Sequence, residues 1–297
     1  MRFFKIVSVT AVCLGMGFSS WYESVAAQEM TAHDRQRHVL ELQAAPNPLE
    51  AVHSLWIEEL TYIEVRDRIR DGHTIAIIPT GGIEQNGPYL VTGKHNVILE
   101  SLCPAIAKEL GDALCAPIVP FVPEGTIDPP SGAMQFSGSI SVKDETFHAL
   151  LDDIASSLKQ HGFKDIVFIG DSGGNQRGMR AVADELNVRW QGTDVSAHFI
   201  GEFYTPGWDV TMDYTTEVLE VVETRNDGHH DDIWVTAIMM VSDPSSVRYD
   251  QRVKADLASI NGISIVPMAQ TIELGQKMVD FRARYTAVEI RAAIEKK

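Results

Sequence analysis

Three separated segments of the chain carry side chains that could perform acid, base or metal chemistry. The first contains Glu84 and His95, the second is the turn 170–175 (GDSGGN), and the third is the stretch 229–232 (HHDD). Carboxylates and imidazoles are the side chains that bind divalent metals and transfer protons near neutral pH. The sequence therefore predicts a site assembled from loops that lie far apart in the chain.

Glu84 follows a stretch that is typical of a buried strand. The apolar run from Ile75 to Ile78 stops at Pro79, and two glycines then lead to Glu84. This arrangement places the carboxylate at the carboxyl end of the strand. In open α/β sheets ligands bind at that edge, because the loops from several strands converge there.

Strands and helices alternate along the chain, which indicates βαβ units and a parallel sheet covered on both faces. The fold class predicted is a three-layer α/β/α protein with a mostly parallel central sheet. The lead-in segment 28–48 is polar and proline-rich at its end and is predicted to be extended or frayed. After Pro244 we expect a peripheral helix and a C-terminal amphipathic helix. Predicted strands are 74–79, 114–122, 166–169 and 196–201, and predicted helices are 60–70, 97–110, 143–161, 176–190 and 237–241.

The segment 79–95 resembles the opening signature of the creatininase family of metal-dependent amidohydrolases, which reads approximately P-x-G-[SA]-x-E-Q-H-G-P-H-L-P-x-G-T-D. The turn 170–175 resembles the family segment N-G-H-G-G-N, and 229–236 resembles H-A-G-E-x-E-T-S. Together these similarities cover roughly Leu60 to Met268 and imply a three-layer α/β/α fold. The matching residues of the opening signature are Pro79, Gly81, Glu84, Gln85, Gly87, Pro88, Leu90 and Gly93.

Several positions at which the family binds its two metals carry other residues here. Asn86 and Ser172 stand where the family has histidines, and His95 stands where it has the bridging aspartate. Asn and Ser are weak neutral ligands, and a neutral imidazole does not bridge two ions as a carboxylate does. The resemblance then implies one divalent ion, Zn, Mn or Fe, with Glu84, His95 and Asp232 as ligands.

Hydrolysis of a non-peptide C–N bond, in an amide or cyclic amide, is the activity that the resemblance implies. In this interpretation Glu84 and His229 are the catalytic residues, with His229 moving a proton or stabilising the oxyanion. Asp171 and His230 are further candidate ligands, and two tryptophans, Trp208 and Trp234, are candidate pocket walls.

Two other functions remain open. Loss of the family's ligands is what an inactive protein that only binds a small molecule would show. The segment 170–174 also meets the G-x-S-x-G pattern of serine hydrolases, with Ser172 as nucleophile and His229 or His230 as base. Each site residue also has a structural interpretation: an ion pair for Glu84, an exposed or capping role for His95, and helix capping for Asp232.

The N-terminal 27 residues are predicted to be a signal peptide. Met1 to Lys5 is basic, Ile6 to Phe18 is apolar, and 25–27 (VAA) is a small-residue cleavage site that leaves Gln28 first. This predicts a periplasmic or secreted protein. The chain then divides into the signal peptide 1–27, a lead-in segment 28–59, and a creatininase-like domain 60–297.

The composition and net charge of the chain limit the kinds of partner that it is expected to bind. The 297 residues carry a formal net charge of −16, and removal of the signal peptide makes it −17. Such a surface repels nucleic acid and anionic membranes and favours a small-molecule substrate. The family resemblance implies a homo-oligomer, specifically a hexamer. An oxidising compartment permits a disulfide between Cys103 and Cys115, but two unpaired, buried cysteines are the favoured prediction.

Overall fold

A computed structural model describes residues 31–226 and 228–296, so the predicted signal peptide lies outside the described residues. The chain separates into two compact units, Met1–Pro46 and Asn47–Lys297. The described part of the first unit is helix α1, Ala32–Ala44, which has no buried residue. The prediction of an extended lead-in is therefore wrong here. Thr31 caps this helix by accepting from the Asp34 amide, and no glycine or proline interrupts it.

The second unit is built on four parallel strands in the order β2-β1-β3-β4. A short antiparallel pair, β5 and β6, lies outside this sheet. The strands are β1 Ile75–Thr80, β2 Ala113–Cys115, β3 Asp165–Gly170, β4 Ser196–Phe199, β5 Ser259–Ile260 and β6 Ile263–Ser264. The helices are α2 Tyr62–Arg70, α3 Lys94–Leu110, α4 Asp144–His161, α5 Asn175–Arg189, α6 Gly207–Asp213, α7 Ile233–Ser242, α8 Tyr249–Lys254 and α9 Met268–Glu295.

Strand β1 is buried along its whole length and separates two hydrophobic cores. Ile75 and Ile77 pack with residues of α3, α7 and α9 on one face. Ala76 and Ile78 pack with residues of α4 and α5 on the other. This is the side-chain alternation of a strand that is covered on both faces. The predicted three-layer α/β/α fold with a parallel sheet is confirmed.

Two element boundaries differ from prediction in ways that affect the site. The predicted strand 114–122 shortens to three residues, because Pro117 and Pro120 have no amide hydrogen for the ladder. Helix α3 begins at Lys94, three residues earlier than predicted, so His95 lies on its first turn rather than on the preceding loop. Gly93 at the N-cap allows this early start.

Cys103 and Cys115 form a disulfide that joins α3 to β2, with Cα atoms 6.2 Å apart. The favoured prediction of two unpaired cysteines is wrong. Helix α3 packs against the sheet with Cys103 facing it, so both side chains lie in the same fully buried layer. Among residues 31–226 and 228–296, no helix has the length and apolar character needed to cross a membrane.

Candidate active site

A cavity of about 350 Å³ lies at the carboxyl edge of the sheet, where the sequence predicts a site. Its walls come from the loop after β1, the first turn of α3, the loop after β2, the turn after β3, and the segment around α6. Eleven of the twelve lining residues are polar, charged, aromatic or glycine residues, and the other is a proline. The lining consists of Glu84, Lys94, His95, Pro123, Glu124, Gly125, Ser172, Gly173, Gly174, Tyr204, Trp208 and His230.

The loop after β1 is held in place by two asparagines. The Asn175 side-chain amide donates to the carbonyl oxygens of Thr80 and Gly81, at 3.0 and 2.9 Å. Asn96 accepts from the amide of Gly82 at 3.2 Å. Gly82 also has to be glycine, because a Cβ there would lie 2.0 Å from Glu124 Oε1. The missing Cβ at Gly82 leaves room for the Glu124 carboxyl close to the end of β1.

A chain of charged groups runs from the cavity into the protein. His95 Nε2 lies 2.8 Å from Glu84 Oε1, and His95 Nδ1 lies 2.9 Å from Asp171 Oδ2. Asp171 is fully buried and faces Arg282, whose Nη1 is 3.5 Å from Asp171 Oδ1. Arg282 also donates to the carbonyl oxygen of Phe203 at 3.0 Å. Each of these four charged groups, Glu84, His95, Asp171 and Arg282, therefore has a partner of opposite charge.

Both nitrogens of the His95 ring face carboxylates, which favours the doubly protonated, charged form. Burial and the neighbouring Lys94 charge lower the pKa of His95, but hydrogen bonds to Asp171 and Glu84 outweigh them, so its pKa is raised. Burial raises the pKa of Glu84, and the hydrogen bond and charge of His95 reverse the effect, so its pKa is lowered. Glu84 and His95 thus form an ion pair at the cavity wall.

Glu124 is the second carboxyl group in the cavity and differs from Glu84. Burial, followed by repulsion from Glu84, raises the pKa of Glu124 to about 7. Its Oε2 accepts from the Ser172 hydroxyl at 3.2 Å. Its Oε1 has no hydrogen-bond partner among the described residues. A carboxyl that titrates near neutral pH and faces a cavity is suited to general acid and base work.

Lys94 places a fully buried ammonium at the same cavity. Its Nζ lies 3.9 Å from Glu84 Oε1 and 5.6 Å from the centre of the Trp208 ring. Nζ has no hydrogen-bond partner among the described residues. Burial lowers the pKa of Lys94, and attraction to surrounding carboxyl groups, first Glu84, opposes that effect.

Aromatic side chains close one side of the cavity. Trp208 lies on α6 and packs between Tyr204 and Trp234, with ring centres 5.4 and 4.8 Å away. Trp208 and Tyr204 line the cavity, whereas Trp234 is buried behind them. The expectation that both tryptophans wall the pocket therefore holds directly for Trp208 alone.

The third predicted segment reaches the site differently from expectation. His230 lines the cavity, whereas His229 lies against Gly87 and does not line it. Adjacent residues in an irregular segment point in different directions, so the two histidines separate. Asp232 occupies the N-cap position of α7, accepts from Asn261 Nδ2 at 3.4 Å, and does not line the cavity.

Two residues at family ligand positions are used for other contacts. Asn86 is buried and folds back on its own loop, where its side-chain amide donates to the carbonyl oxygen of Glu84 at 2.9 Å. The Ser172 hydroxyl donates to Glu124, a carboxyl group, and not to a histidine. The strand, turn and helix around Ser172 are present, but the hydrogen bond expected for a serine nucleophile and its base is not formed.

The fold and this cavity define an α/β/α protein with a buried acid–base site at the edge of a parallel sheet. The sequence model described as creatininase, creatinine amidohydrolase, matches residues 58–286, and the chain belongs to the creatininase family. The resemblance inferred from the sequence motifs is thereby confirmed.

Three relatives of this chain share 25% or less of its sequence over the aligned residues. A creatinine amidohydrolase of Pseudomonas putida is 25% identical over 118 residues, which is 39% of this chain and 44% of that protein. The aligned stretch thus spans less than half of this curated relative. A solved creatininase described with Mn has a TM-score of 0.60 at 20% identity and covers 80% of this chain and 98% of that one. A mutant creatininase complexed with creatine has a TM-score of 0.58 at 19% identity, covering 81% and 99%.

A divalent metal is implied by these relatives, one described with Mn and another as a Zn-Zn form, but the residues present here do not fit it. Among the described residues, no three or more His, Cys, Asp or Glu side chains form a group that could hold a metal ion. Glu84 and His95 bond to each other, and Asp232 bonds elsewhere. The Lys94 ammonium beside Glu84 would repel a second cation. The predicted set of Glu84, His95 and Asp232 is therefore not supported by their placement.

Sequence reasoning did not assign a role to Glu124, Lys94 or Arg282. Glu124 ends the second apolar run, at the same sheet edge as Glu84, and that position was the available signal. Lys94 precedes His95 and was visible only as a departure from the family motif. Arg282 lies on a helix that reads as amphipathic, and its burial against Asp171 follows from tertiary packing alone.

Proposed function

We propose that this chain hydrolyses a C–N bond of a small amide or cyclic amide in the cavity between Glu84 and Glu124. One observation carries the proposal: Glu124, a carboxyl of raised pKa, and Lys94, a buried ammonium without a hydrogen-bond partner among the described residues, line the same small cavity. Amide hydrolysis needs a base for water, positive charge for the carbonyl oxygen, and an acid for the leaving nitrogen.

The chain's own residues supply these three functions. Ionised Glu124 takes a proton from water as the oxygen attacks the carbonyl carbon. The Lys94 ammonium stabilises the negative charge that develops on the carbonyl oxygen. Glu124 then returns the proton to the nitrogen as the C–N bond breaks, and the products are a carboxylic acid and an amine. No metal takes part in these steps.

Glu84 positions the two cationic side chains of the site, His95 and Lys94. It pairs with His95 and lies beside Lys94, so it keeps both cations oriented in a desolvated site. His230 lines the rim and is better placed than His229 to meet a substrate. The predicted catalytic role of Glu84 is retained in this proposal. That of His229, which does not line the cavity, stays a prediction.

The cavity is sized for a small substrate, but it is not isolated. A wider groove of about 1080 Å³ shares four of its lining residues, Pro123, Gly125, Gly173 and Gly174. The reacting group fits the inner cavity, and any remaining part of the molecule extends into this groove. Arg177 and Asp144 line the groove together with Ile127 and Val142, so it offers both polar and apolar contacts.

A panel of cyclic amides tests the proposal, including creatinine, hydantoin, glutarimide and 2-pyrrolidinone. We expect hydrolysis of at least one member, measured as release of acid or amine, and a loss of about 100-fold or more in Glu84→Gln because the ion pair is removed. Glu217→Gln, an exposed glutamate remote from the cavity lining, is the matched control and should keep full activity. Absence of turnover across the panel at high enzyme concentration would count against hydrolysis.

Binding without turnover is the second candidate. It is favoured by the way Glu84, His95, Asp171 and Arg282 saturate one another and by the two family histidines replaced by Asn86 and Ser172. Calorimetric titration with the same panel separates the candidates. A member that binds and is recovered unchanged supports the binding protein.

We also propose that the chain is exported and assembles as a homo-oligomer. The Cys103–Cys115 disulfide supports an oxidising compartment, such as the periplasm or the exterior of the cell. The proposed signal peptide is consistent with that location. The hexamer rests on the family resemblance alone.

A further inference from the structure

Among residues 31–226 and 228–296, Lys94 is the only lysine that is buried. Its side chain is 0% exposed, although it lies on the first turn of α3 beside an open cavity. An ammonium is costly to remove from water unless nearby groups compensate for the lost hydration. Nearby groups must therefore compensate the Lys94 ammonium for its lost hydration.

The surroundings of Lys94 are acidic. Four carboxyl groups act on it, those of Glu84, Asp171, Asp232 and Glu124, in decreasing order of effect. The nearest oxygen, Glu84 Oε1, is 3.9 Å away, which is beyond hydrogen-bond distance. The ammonium is thus surrounded by negative groups without donating to any described residue. The carboxyl groups balance the charge of the ammonium as they would balance that of a bound cation.

The sequence change at this point adds positive charge to the site. Lys94 and His95 stand where the family motif has Thr and Asp, so one neutral and one negative residue become one cationic and one basic residue. His95 is itself placed between two carboxylates. The formal charge at these two positions changes from −1 to +1 with a neutral His95 and to +2 with the protonated form, so the gain has the sign of a bound cation.

We propose that the Lys94 ammonium is the resident cation of this site and takes the place of a metal ion. The ammonium compensates the carboxyl groups and blocks a divalent cation by charge and by volume. Metal binding is measured without substrate, so this inference stands or falls separately from the proposed hydrolysis.

Direct metal titration tests the inference. The full-length mature protein and the variants Lys94→Met, Lys94→Arg and Lys164→Met are equilibrated with Mn²⁺ or Zn²⁺ alone, desalted, and their metal content measured by mass spectrometry. Lys164 is the control, because it is half exposed and pairs with Asp194 at the surface. We expect wild type, Lys94→Arg and Lys164→Met to retain less than about 0.1 equivalent. Lys94→Met should retain several-fold more, because Glu84, His95 and Glu124 then line the cavity without the ammonium.

Two results would overturn the inference. One is a stoichiometric metal in the wild-type protein, which would show that the ammonium and a metal coexist. The other is a folded Lys94→Met protein that binds no metal, which would show that Lys94 is not what excludes it. Circular dichroism establishes folding, and Lys94→Gln serves as the neutral variant if methionine at this position prevents it.

Discussion

Replacing Glu124 with glutamine is expected to lower kcat by about 10²- to 10⁴-fold, because the group that moves the proton is lost. The substitution keeps the shape of the side chain, and the Ser172 hydroxyl can still donate to the remaining amide oxygen. KM should change by less than about threefold, as expected for an interaction made in the transition state. Steady-state kinetics on the best member of the amide panel measures both constants.

The pH dependence gives a second readout for the same residue. The groups around Glu124 are Glu84, His95, Ser172 and Lys94, and its pKa is raised to about 7. As a base Glu124 must be ionised, so kcat/KM should increase with pH and level off above about 7. Its effect on stability has the opposite sign. A carboxyl with a raised pKa in the folded state contributes stability below its ordinary pKa of 4.5 and loses it as pH rises through about 7.

Glu217→Gln is also the matched control for Glu124→Gln. Glu217 is exposed and lines neither the inner cavity nor the outer groove. The control substitution should leave both kcat and the pH profile unchanged. A Glu124→Gln enzyme that retains its rate, or retains the rise through neutral pH, would show that another group is the base.

Replacing Arg282 with methionine is expected to destabilise the fold by about 3–5 kcal/mol, because the buried Asp171 carboxylate loses its cationic partner. Arg282 is 1% exposed, and Asp171 is 0% exposed. The guanidinium also stacks over the Phe203 ring, with its carbon 4.5 Å from the ring centre, and that contact is lost too. Urea denaturation followed by circular dichroism gives the free energy of unfolding.

Arg189→Met provides the comparison for Arg282→Met. The Arg189 side chain is about half exposed and pairs with Asp152 on the surface, so its removal should cost at most about 1 kcal/mol. Similar losses in the free energy of unfolding of the two variants would contradict the role of Arg282 as the buried cationic partner of Asp171. Arg282→Lys should fall between them, since it keeps the charge and loses the planar, two-pronged geometry.

The fold was predictable because its signals are local. The run Ile75 to Ile78, ending at Pro79, predicts β1 within one residue of its observed bounds. Alternation of such runs with amphipathic stretches then requires a parallel sheet with helices on both faces. Helix α1 departs from the prediction because Thr31 caps it by accepting from the Asp34 amide, whereas the prediction rested on the polar, charged composition of the segment.

The site was predictable only where the family motif carries it. Glu84 and His95 were identified as neighbours, and they are 2.8 Å apart. Their partner Asp171 was considered only as a further ligand, and it instead accepts from His95 behind the cavity. Arg282 could not be found from sequence, since it meets Asp171 across 111 residues of chain and spacing patterns do not encode such contacts.

The contacts in the site explain why residues other than metal ligands occupy the family's ligand positions. Asn86 bonds to its own loop, Ser172 bonds to Glu124, and Lys94 supplies positive charge at Glu84. A loss of ligands alone would leave several carboxyl groups facing one another. The retained acids and the added cation together form a balanced site, which is the physical basis for proposing activity without a metal.

Hydrolysis by protein from which divalent metals have been removed is the most direct test. The rate on the best amide substrate is measured before and after chelation and dialysis, and again with Mn²⁺ or Zn²⁺ added. The proposed chemistry of Glu124 and Lys94 predicts the same rate in all three states. Activity that disappears on chelation and returns with either metal would contradict it.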